Sequence, residues 1–573
     1  MTDIRRRLRT LARGRDLTSV IACAFDHRTR VLPFIVADTR MAPAGVRAIG
    51  SAMADVGFTK TRIVLQQWNR NFRPSQMRLD GRIPDLFMVS SMRIHLAQCK
   101  ALIRDACRIE PERRPLIIAG GPLAIYEPWE VFGDAPEQPA SADVAVTGEE
   151  YVLLSLLEVL LSVRGGGEPI RSAFIRARDR GMLEGIPGLV YARGPDGRVA
   201  EELIDTGAQR LLGDLDELPL PSLGYRLLEA PSRKATLASQ PLPPERIRRR
   251  SPIGSLVLTL GCRFGCDYCP IPAYNQRQFR CKSGARISEE MARLHDEFGI
   301  RFFFGADDNF FNDHRRALEI AQSLSDKTGH GPRRRKVRWG TEATVHDTLA
   351  MKDHLRTLHK AGLRALWMGV EDMTGTLVRK GQTPDKTREA LGLLRERGIL
   401  PMPMLMHHDA QPLYTPGRPE GLLNQVHLLR KAGAISVQVL MITPAPGSRM
   451  YEDAFTSGLV LEQAGNRPVE PYMLDGNYVV ACRHRQPWLQ QLNILAAYLF
   501  FYNPLRFLIA LVRPKARLYL VDCGAQVLGM WGLVHTIGRT LGWAWHLSGG
   551  RFTRSRQAPT SRIPLRRGLQ EKA

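Results

Sequence analysis

The sequence has few cysteines for its length, no long uninterrupted apolar run and no second Cys/His pair at zinc-site spacing. Nine cysteines occur in 573 residues, and three of them lie in one short loop. This distribution excludes a disulfide-stabilised scaffold. The first apolar run, residues 17–24, is short and weak, so we expect no secretory signal.

Acidic residues are also scarce relative to basic ones. The chain has 57 Asp and Glu against 81 Lys and Arg, a formal net charge of +24. The basic residues concentrate at residues 5–15, 246–250, 333–338 and 551–567. Such runs could bind RNA, an anionic membrane or an anionic substrate, or could be solvated surfaces of an arginine-rich chain. No RNA-binding motif and no basic stripe with interleaved aromatic residues is present, so nucleic acid is not the expected partner.

The remaining composition is that of a globular protein, with 44% hydrophobic and 24% charged residues. A chain of this length is too long for a single core. Changes in pattern predict a basic N-terminal segment, a first α/β domain, a hairpin and linker, a second α/β domain, a helical region and a basic disordered tail. The predicted boundaries are 1–28, 29–188, 189–250, 251–450, 451–550 and 551–573.

The most informative stretch is residues 258–270, which follow an apolar run that predicts a buried strand. It contains Cys262, Cys266 and Cys269 in the spacing Cys-x3-Cys-x2-Cys. Three thiolates on one loop can hold three irons of a 4Fe-4S cluster and leave the fourth iron open, whereas a cluster that only transfers electrons normally has four. A zinc knuckle or unrelated thiols are the alternatives, with Cys281 as the nearest spare thiol.

This loop, with Tyr268 before the third cysteine, resembles the signature of the radical S-adenosylmethionine (SAM) superfamily. The resemblance implies that the open iron binds SAM and that an electron from the cluster splits SAM into methionine and a 5'-deoxyadenosyl radical. It also implies a reductant partner such as flavodoxin or ferredoxin. Because such a cluster is oxygen-sensitive, we expect a reducing, cytoplasmic location.

In the first α/β domain, short apolar runs alternate with helical segments. Strands are predicted at residues 31–37, 61–65, 86–90, 116–119 and 144–146, and helices at 45–55, 92–109 and 150–163. This alternation predicts a doubly wound parallel sheet with its ligand at the carboxyl ends of the strands.

The same domain resembles the cobalamin-binding domain of class B radical SAM enzymes, through residues 117–122 and 142–149. The resemblance implies that Gly120, Gly121, Gly148 and Glu149 line a cavity for the nucleotide tail of cobalamin. The Asp-x-His-x-x-Gly motif that supplies a cobalt ligand elsewhere is missing, and residues 38–45 stand in its place. A doubly wound domain that has lost its cofactor is the alternative.

Residues 251–448 predict a partial, six-stranded parallel barrel, whose active site would lie at the strand carboxyl ends. Asp307 and Asp308 follow one strand, and by resemblance one of them faces the ammonium group of SAM; capping of the next helix is the alternative. Glu342 could face the pocket or cap a helix. The resemblance makes Glu371 the ligand of the ribose hydroxyls. His407 and His408 are adjacent on a strand, so they point to opposite faces and cannot chelate one metal.

The last hundred residues are apolar and helical. Residues 492–512 and 518–545 are rich in large apolar side chains, but Pro504 and Arg506 interrupt the first run and Asp522, His535 and Arg539 the second. A membrane span needs roughly 20 apolar residues with few charges. These helices therefore form either a lid over the substrate channel or a surface that contacts the membrane.

Together these patterns predict an α/β enzyme with a Rossmann-like first domain, a partial (β/α)6 barrel and a helical C-terminal region. The resemblance implies a cobalamin-dependent C-methyltransferase acting on a small-molecule or lipid substrate. The alternatives are a radical SAM cyclase or rearrangement enzyme, and a basic RNA- or membrane-binding protein with a degenerate barrel.

Overall fold

A computed structural model describes residues 1–13, 16–33, 35–133, 140–194, 198–325, 337–375, 381–512 and 518–567. The chain divides into two compact units. The first comprises Met1–His27, Ala42–Ser251 and Pro559–Ala573, and the second Arg28–Met41 and Pro252–Ala558. The turn of the predicted hairpin at residues 195–197, most of the basic run at 333–338 and residues 568–573 lie outside the described residues.

The strands, in chain order, are β1 (Ser19–Cys23), β2 (Thr61–Leu65), β3 (Leu86–Ser90), β4 (Leu116–Gly120), β5 (Val144–Val146), β6 (Leu189–Arg193), β7 (Glu202–Asp205), β8 (Ile253–Leu256), β9 (Thr259–Leu260), β10 (Arg280–Cys281), β11 (Phe302–Gly305), β12 (Arg338–Thr344), β13 (Leu363–Glu371), β14 (Leu400–His407), β15 (Gln438–Met441), β16 (Leu461–Ala464), β17 (Arg467–Pro468), β18 (Phe552–Arg554) and β19 (Leu565–Arg567).

The α-helices are α1 (Thr2–Ala12), α2 (Ile35–Arg40), α3 (Ala44–Asp55), α4 (Leu96–Ala106), α5 (Pro122–Tyr126), α6 (Glu150–Val163), α7 (Ile170–Asp179), α8 (Pro221–Tyr225), α9 (Pro244–Arg250), α10 (Ile271–Tyr274), α11 (Gly284–Phe298), α12 (His314–Ser325), α13 (Val345–Ala350), α14 (Leu355–Lys360), α15 (Pro384–Arg397), α16 (Leu422–Ala432), α17 (Met450–Thr456), α18 (Pro487–Phe501), α19 (Pro504–Leu511), α20 (Tyr519–Val534) and α21 (Ile537–Ser548). Short 3-10 helices lie at Pro74–Gln76, Arg93–His95, Pro128–Val131, Leu215–Glu217, Phe310–Asn312, Lys352–His354 and Pro471–Asp475.

The first unit is built on one eight-stranded sheet in the order β19-β7-β6-β5-β4-β3-β1-β2. Strands β1 to β5 are parallel, and β6 and β7 add to β5 as an antiparallel pair. The strand order reverses at β1 and β3, which is the topological switch point where doubly wound sheets bind ligands. The predicted Rossmann-like sheet is confirmed.

The prediction of the first strand was wrong. Residues 31–37 do not form a strand; they lead into α2, and the strand lies at Ser19–Cys23. Pro33 has no N–H to donate and is therefore unsuited to the middle of a sheet, whereas the run of β1 is buried. In addition, Arg28–Met41 belongs to the second unit, so the loop at the carboxyl end of β1 begins at Ala24, not at Asp38.

Near both ends of the chain, the described residues 2–12 and 559–567 are ordered parts of the first unit. The basic segment at residues 2–12 is a helix whose Leu8 is buried, and Arg5 pairs with Asp55 at 2.6 Å. The predicted disordered tail contains β18, which joins a small antiparallel sheet of the second unit, and β19, which pairs with β7. The buried side chain of Ile563 explains this order, since it contributes to the first core.

The second unit contains a six-stranded, fully parallel sheet in the order β15-β14-β13-β12-β11-β8. Helices α11 to α16 follow its strands in alternation. The predicted partial barrel is thus confirmed. Between β8 and β11 in the chain, β9 and β10 form a short antiparallel ribbon. The three-cysteine loop lies in the segment that connects these two strands.

The C-terminal helices α18 to α21 pack with one another, and α18 also contacts β15. Residues 487–511, covering α18 and α19, are long and apolar enough to cross a membrane, and the bent pair α20 and α21 passes the same test jointly. Core helices of soluble proteins pass the same test of length and composition. Helix α18 is also hydrogen-bonded within the second unit through buried side chains, including Tyr498 and Gln491.

Candidate functional site

The three cysteines lie in the loop between β9 and α10. None of the three forms a disulfide, and all are half-buried. The loop turns at Gly261, whose φ of +94° is in the left-handed region and where an added Cβ would lie 2.0 Å from the Gln278 carbonyl oxygen. Only glycine is compatible with this turn. The loop therefore places three thiols within eight residues of chain.

Asp307 fastens the entry of this loop. It is buried, and its Oδ1 accepts hydrogen bonds from the N–H groups of Leu258 and Thr259, at 3.0 and 2.7 Å. Its Oδ2 accepts from the hydroxyl of Thr341 on the neighbouring strand. Burial raises the pKa of Asp307 to about 6, although these donors oppose the shift. Both of its oxygens are engaged by protein donors.

Asp308 holds the next part of the loop. Its Oδ2 accepts from the N–H of Gly261 at 2.6 Å and from the Asn275 side chain at 3.3 Å. Burial raises its pKa above the ordinary value. Asn312 continues the support, because its Oδ1 accepts from the N–H of Arg263 at 2.6 Å. The segment that follows β11 thus positions the cysteine loop, because the side chains of Asp307, Asp308 and Asn312 all accept hydrogen bonds from the loop backbone.

A buried network reaches one thiol directly. Asp347, fully buried, accepts hydrogen bonds from Asn309 at 2.8 Å and Thr344 at 2.9 Å, and pairs with Arg263 of the loop. The Asn309 amide nitrogen in turn lies 4.0 Å from the Cys262 sulfur. Sequence analysis missed this network, since its members are up to 84 residues apart. The only local signal is Thr344, which caps α13 by accepting from the Asp347 N–H.

Four carboxylates lie close enough at the strand ends to influence one another. Burial, followed by the charges of Asp307, Asp308 and Glu371, raises the pKa of Glu342 to about 8. A cationic ligand beside this group would remove the mutual repulsion. The predicted residues Asp307, Asp308, Glu342 and Glu371 are therefore brought together.

Glu371 adopts an unusual backbone conformation where β13 ends. Its φ is +57°, and the register with β14 shifts between Gly369 and Glu371. A Cβ at residue 369 would lie 2.7 Å from the Glu371 Oε1, so the glycine makes room for this carboxylate. Burial, then Glu371 and Cys266, raise the pKa of Tyr268. Tyr268 therefore links the cysteine loop to Glu371.

His407, the last residue of β14, and His408, which follows it, occupy different environments. His407 is fully buried, with Nδ1 2.8 Å from Gln411 Oε1 and Nε2 3.3 Å from the Asn493 amide. Burial lowers its pKa to about 4. His408 is half-buried, and burial lowers its pKa as well. Both are neutral at pH 7, and His407 is committed to helix contacts.

In the first unit, the predicted cobalamin residues lie at the carboxyl ends of β4 and β5. Gly121 has a φ of +83°, and an added Cβ there would lie 2.6 Å from the Ser90 hydroxyl. At Gly148 an added Cβ would lie 2.6 Å from Gln209 Oε1. Glu149 is buried, donates its N–H to Gln209 at 2.7 Å and accepts from the Leu212 N–H at 3.3 Å. Gly120 ends β4 itself.

The loop after β1 contributes residues that the sequence interpretation had placed elsewhere. The N–H of Asp26 donates to His95 Nδ1 at 3.0 Å, and Phe25 packs on the His95 ring. Burial lowers the pKa of His95 to about 4. Because the first strand was predicted 12 residues too late, this loop at the switch point could not be identified.

Among the described residues, no three His, Cys, Asp or Glu side chains converge as the ligands of a single metal ion. An iron–sulfur cluster makes a different demand, since each thiolate binds a separate iron. Three cysteines on one loop, none of them in a disulfide, with an amide donor near one sulfur, fit such a cluster.

Comparison with known proteins identifies this region. Residues 256–410 match the Radical SAM superfamily. The chain therefore contains a radical SAM domain, and the resemblance predicted from the cysteine loop is confirmed.

A solved structure shares the fold of most of this chain. The structure of the radical SAM methyltransferase TsrM from Kitasatospora setae, with cobalamin and a [4Fe-4S] cluster bound, superposes with a TM-score of 0.60 at 15% identity, covering 90% of this chain and 99% of TsrM. The chain thus shares its fold with TsrM.

Several proteins, including the following two, are similar in sequence. An uncharacterized methyltransferase of Pyrococcus horikoshii is 25% identical over 52% of this chain, and the match spans 59% of that protein. The anaerobic magnesium-protoporphyrin IX monomethyl ester cyclase of Cereibacter sphaeroides is 25% identical over 55% of this chain, and the match spans 45% of the cyclase. The chain therefore matches only about half the length of these relatives.

Proposed function

We propose that this chain is a cobalamin-dependent radical SAM enzyme that methylates an unactivated carbon of a small-molecule or lipid substrate. The observation that carries the proposal is the Cys-x3-Cys-x2-Cys loop at the carboxyl end of a parallel barrel, held by hydrogen bonds to Asp307 and Asp308. The bound cofactors of TsrM and the methyltransferase relative support it.

Cys262, Cys266 and Cys269 would hold a 4Fe-4S cluster, and the site would bind SAM on its open iron. When bound, cluster, SAM and cobalamin together supply the radical and the methyl group. The chain's own residues hold these groups in place and exclude water.

The carboxylates would divide the recognition of SAM. Glu371, at the end of β13, would accept from the ribose hydroxyls, with Tyr268 beside it. Both oxygens of Asp307 already accept from the protein, so Glu342 and the remaining oxygen of Asp308 would face the cationic part of SAM. Glu342 would release its proton when that cation arrives.

The loops at the carboxyl ends of β4 and β5 would hold cobalamin. Gly120 would let a ligand approach the backbone, since the nearest atom to an added Cβ there is 3.8 Å away. Gly121 instead fits the close approach of Ser90, and the Gly148–Glu149 turn is hydrogen-bonded to Gln209. The switch-point loops after β1 and β3 would complete the site.

The test uses protein purified without air. We expect bound iron and sulfide, bound cobalamin, and release of 5'-deoxyadenosine from SAM with reductant; Cys266→Ala should reduce this release to background, while Cys281→Ala should retain it. Methyl transfer is followed by mass spectrometry with deuterated-methyl SAM. Equal release from the parent and Cys266→Ala, or a parent that takes up no iron, would contradict the proposal.

A radical SAM cyclase is the second candidate, favoured by the similarity to the protoporphyrin ester cyclase. It would release deoxyadenosine but leave the mass of its product without an added methyl group. Product mass, with bound cobalamin measured in the same preparation, separates the two functions.

We further infer a cytoplasmic enzyme that receives electrons from a flavodoxin or ferredoxin and contacts the inner face of the membrane. Supporting this are the scarcity of cysteine and the apolar C-terminal helices. Electron transfer is tested by replacing dithionite with reduced flavodoxin in the deoxyadenosine assay.

A further inference from the structure

Large apolar side chains are exposed mainly in one part of the molecule. In the described part of the chain, 19 large hydrophobic side chains are exposed, and 14 of them lie between residues 499 and 545. The exposed fraction reaches 78% at Leu520 and Trp545 and 76% at Val512. A concentration of this kind on a soluble domain marks an interaction surface.

The exposed residues follow helical spacing. On α19 they are Leu505, Leu508, Ile509 and Leu511, followed by Val512 just after the helix, and Ala510 is buried on the other side. On α20 they are Leu520, Val521, Val527, Leu528, Trp531 and Val534, and Gly529, Gly532 and Leu533 are buried. Leu541 and Trp545 continue the series one turn apart on α21. Each helix therefore has a buried face and an apolar outer face. We call the outer faces of α19 to α21 the apolar surface.

The inner side of the helical region is firmly attached to the barrel unit. The hydroxyls of Tyr498 on α18 and of Tyr502, the residue after this helix, bond to the backbone of Val439 and Val437 at the barrel edge. Gly529 of α20 packs against the Tyr502 ring, since an added Cβ would lie 2.2 Å from it. The buried faces thus already have partners within the unit, and the outer faces are directed away from it.

The stretch of sequence that contains the apolar surface is strongly basic. Residues 487–558 contain eight Lys and Arg but only one acid, Asp522. Asp522 is half-buried, and burial raises its pKa. Arg506 on α19 stacks over Phe500, 5.1 Å from its ring centre, and the exposed Arg539 lies on α21. Apolar side chains next to cations match a layer that has acyl chains beneath anionic headgroups.

We propose that the apolar surface binds peripherally to a bilayer containing anionic phospholipid, with Leu520, Val534 and Trp545 entering the acyl region. The proposal develops the membrane contact inferred above but does not require the methyl-transfer chemistry. Its test measures binding without turnover, so a failure here is distinguishable from a failure of the proposed reaction.

The first experiment is flotation of the full chain with vesicles of phosphatidylglycerol and phosphatidylcholine, and with phosphatidylcholine alone. We expect binding to the anionic vesicles that weakens with salt. The triple variant Leu520→Glu, Val534→Glu, Trp545→Glu should lose about tenfold or more in partitioning, because each change places a charge in the acyl region. The matched control Tyr414→Glu alters a residue that is 60% exposed outside this surface and should bind like the parent.

A second measurement shows depth of insertion. Vesicles with brominated acyl chains should quench tryptophan fluorescence in the parent, and the variant Trp531→Phe, Trp545→Phe should lose most of this quenching while it still binds. Equal binding by the triple variant and the parent would overturn the proposal. So would resistance of bound protein to carbonate extraction, which indicates a spanning helix, or a dimer in sedimentation that the triple variant abolishes, which indicates that a second copy covers the surface.

Discussion

At the residue scale, the adjacent acids Asp307 and Asp308, which follow β11, show that one sequence pattern is compatible with several roles. From the sequence, the pair could bind a ligand or cap a helix. The contacts show a further role, since both carboxylates hold the cysteine loop through backbone N–H groups nearly 50 residues away in sequence. Carboxylates that accept backbone N–H bonds position a loop strongly because the bonds are charge-assisted.

Glu342 makes stability depend on pH. The folded chain holds its proton up to about pH 8, whereas an unfolded glutamate releases it near 4.5. The free energy of unfolding should therefore fall as pH rises from about 5 to 8, by up to about 1.4 kcal/mol per pH unit from this group. In Glu342→Gln, urea denaturation across this range should show a clearly smaller fall. The exposed-site variant Asp385→Asn is the control and should follow the parent; a parental slope in Glu342→Gln would refute the prediction.

Asn309 connects Asp347 to the sulfur of Cys262. Its replacement by leucine removes an N–H donor near the thiolate, so the reduction potential of the reconstituted cluster should become more negative. Loss of such a supporting contact typically costs about 10- to 100-fold in metal affinity or activity. The potential is measured by redox titration monitored by EPR. His314→Leu, which also contacts Asp347 but at 3.3 Å from its other oxygen, is the control and should keep the parental potential.

At the element scale, the open edge of the partial barrel is closed by a helix. Tyr498 lies in the last turn of α18 and Tyr502 is the residue that follows the helix, four positions later, where a helical rise would be about 6 Å. Val437 and Val439 are two residues apart along the chain leading into β15, about 6.6 Å. The two spacings match, so each hydroxyl both accepts from and donates to one backbone unit. An exposed strand edge would otherwise be free to pair with another chain.

Removing these hydroxyls should destabilise the barrel edge. Tyr498→Phe and Tyr502→Phe each leave a buried N–H and a buried carbonyl without a partner, at a cost of about 1 to 3 kcal/mol per variant. Chemical denaturation measures the loss, and hydrogen exchange at Val437 and Val439 should accelerate. The exposed-site change Tyr414→Phe should have no effect, and an unchanged stability in the double variant would argue against edge closure by these tyrosines.

At the scale of the whole molecule, the chain leaves the first unit and returns to it. Residues 252–558 belong to the second unit, and the final segment then adds β19 beside β7. The N–H of Leu203 donates to the Pro564 carbonyl at 2.7 Å, and Ile563 is buried in the first core. The tail is therefore a structural part of the N-terminal unit despite its basic composition.

Truncation of the C-terminal segment tests whether β19 stabilises the first unit. A chain ending at Ala558 should lose about 2 to 4 kcal/mol of stability in the first unit, from the buried Ile563 and the lost strand pairing. Hydrogen exchange of Glu202–Asp205 should become fast. A chain ending at Arg567 keeps β19 and serves as the control. Parental exchange of β7 in the shorter chain would show that the tail contributes nothing.

The sequence by itself determined the cysteine loop, most of the parallel strands and the two-sheet organisation, because these depend on local spacing and on apolar runs that are buried whatever surrounds them. Strands β2, β3 and β5 lie where the pattern placed them. Only the tertiary structure decided the position of β1, the ordering of the tail and the network from Asp347 to Cys262. Each of these depends on partners distant in the chain: β1 on its two neighbouring strands, β19 on β7, and Asp347 on Arg263 and Asn309. A pairing between distant segments leaves no periodic signal in either one, so it becomes visible only when the folded chain brings them together.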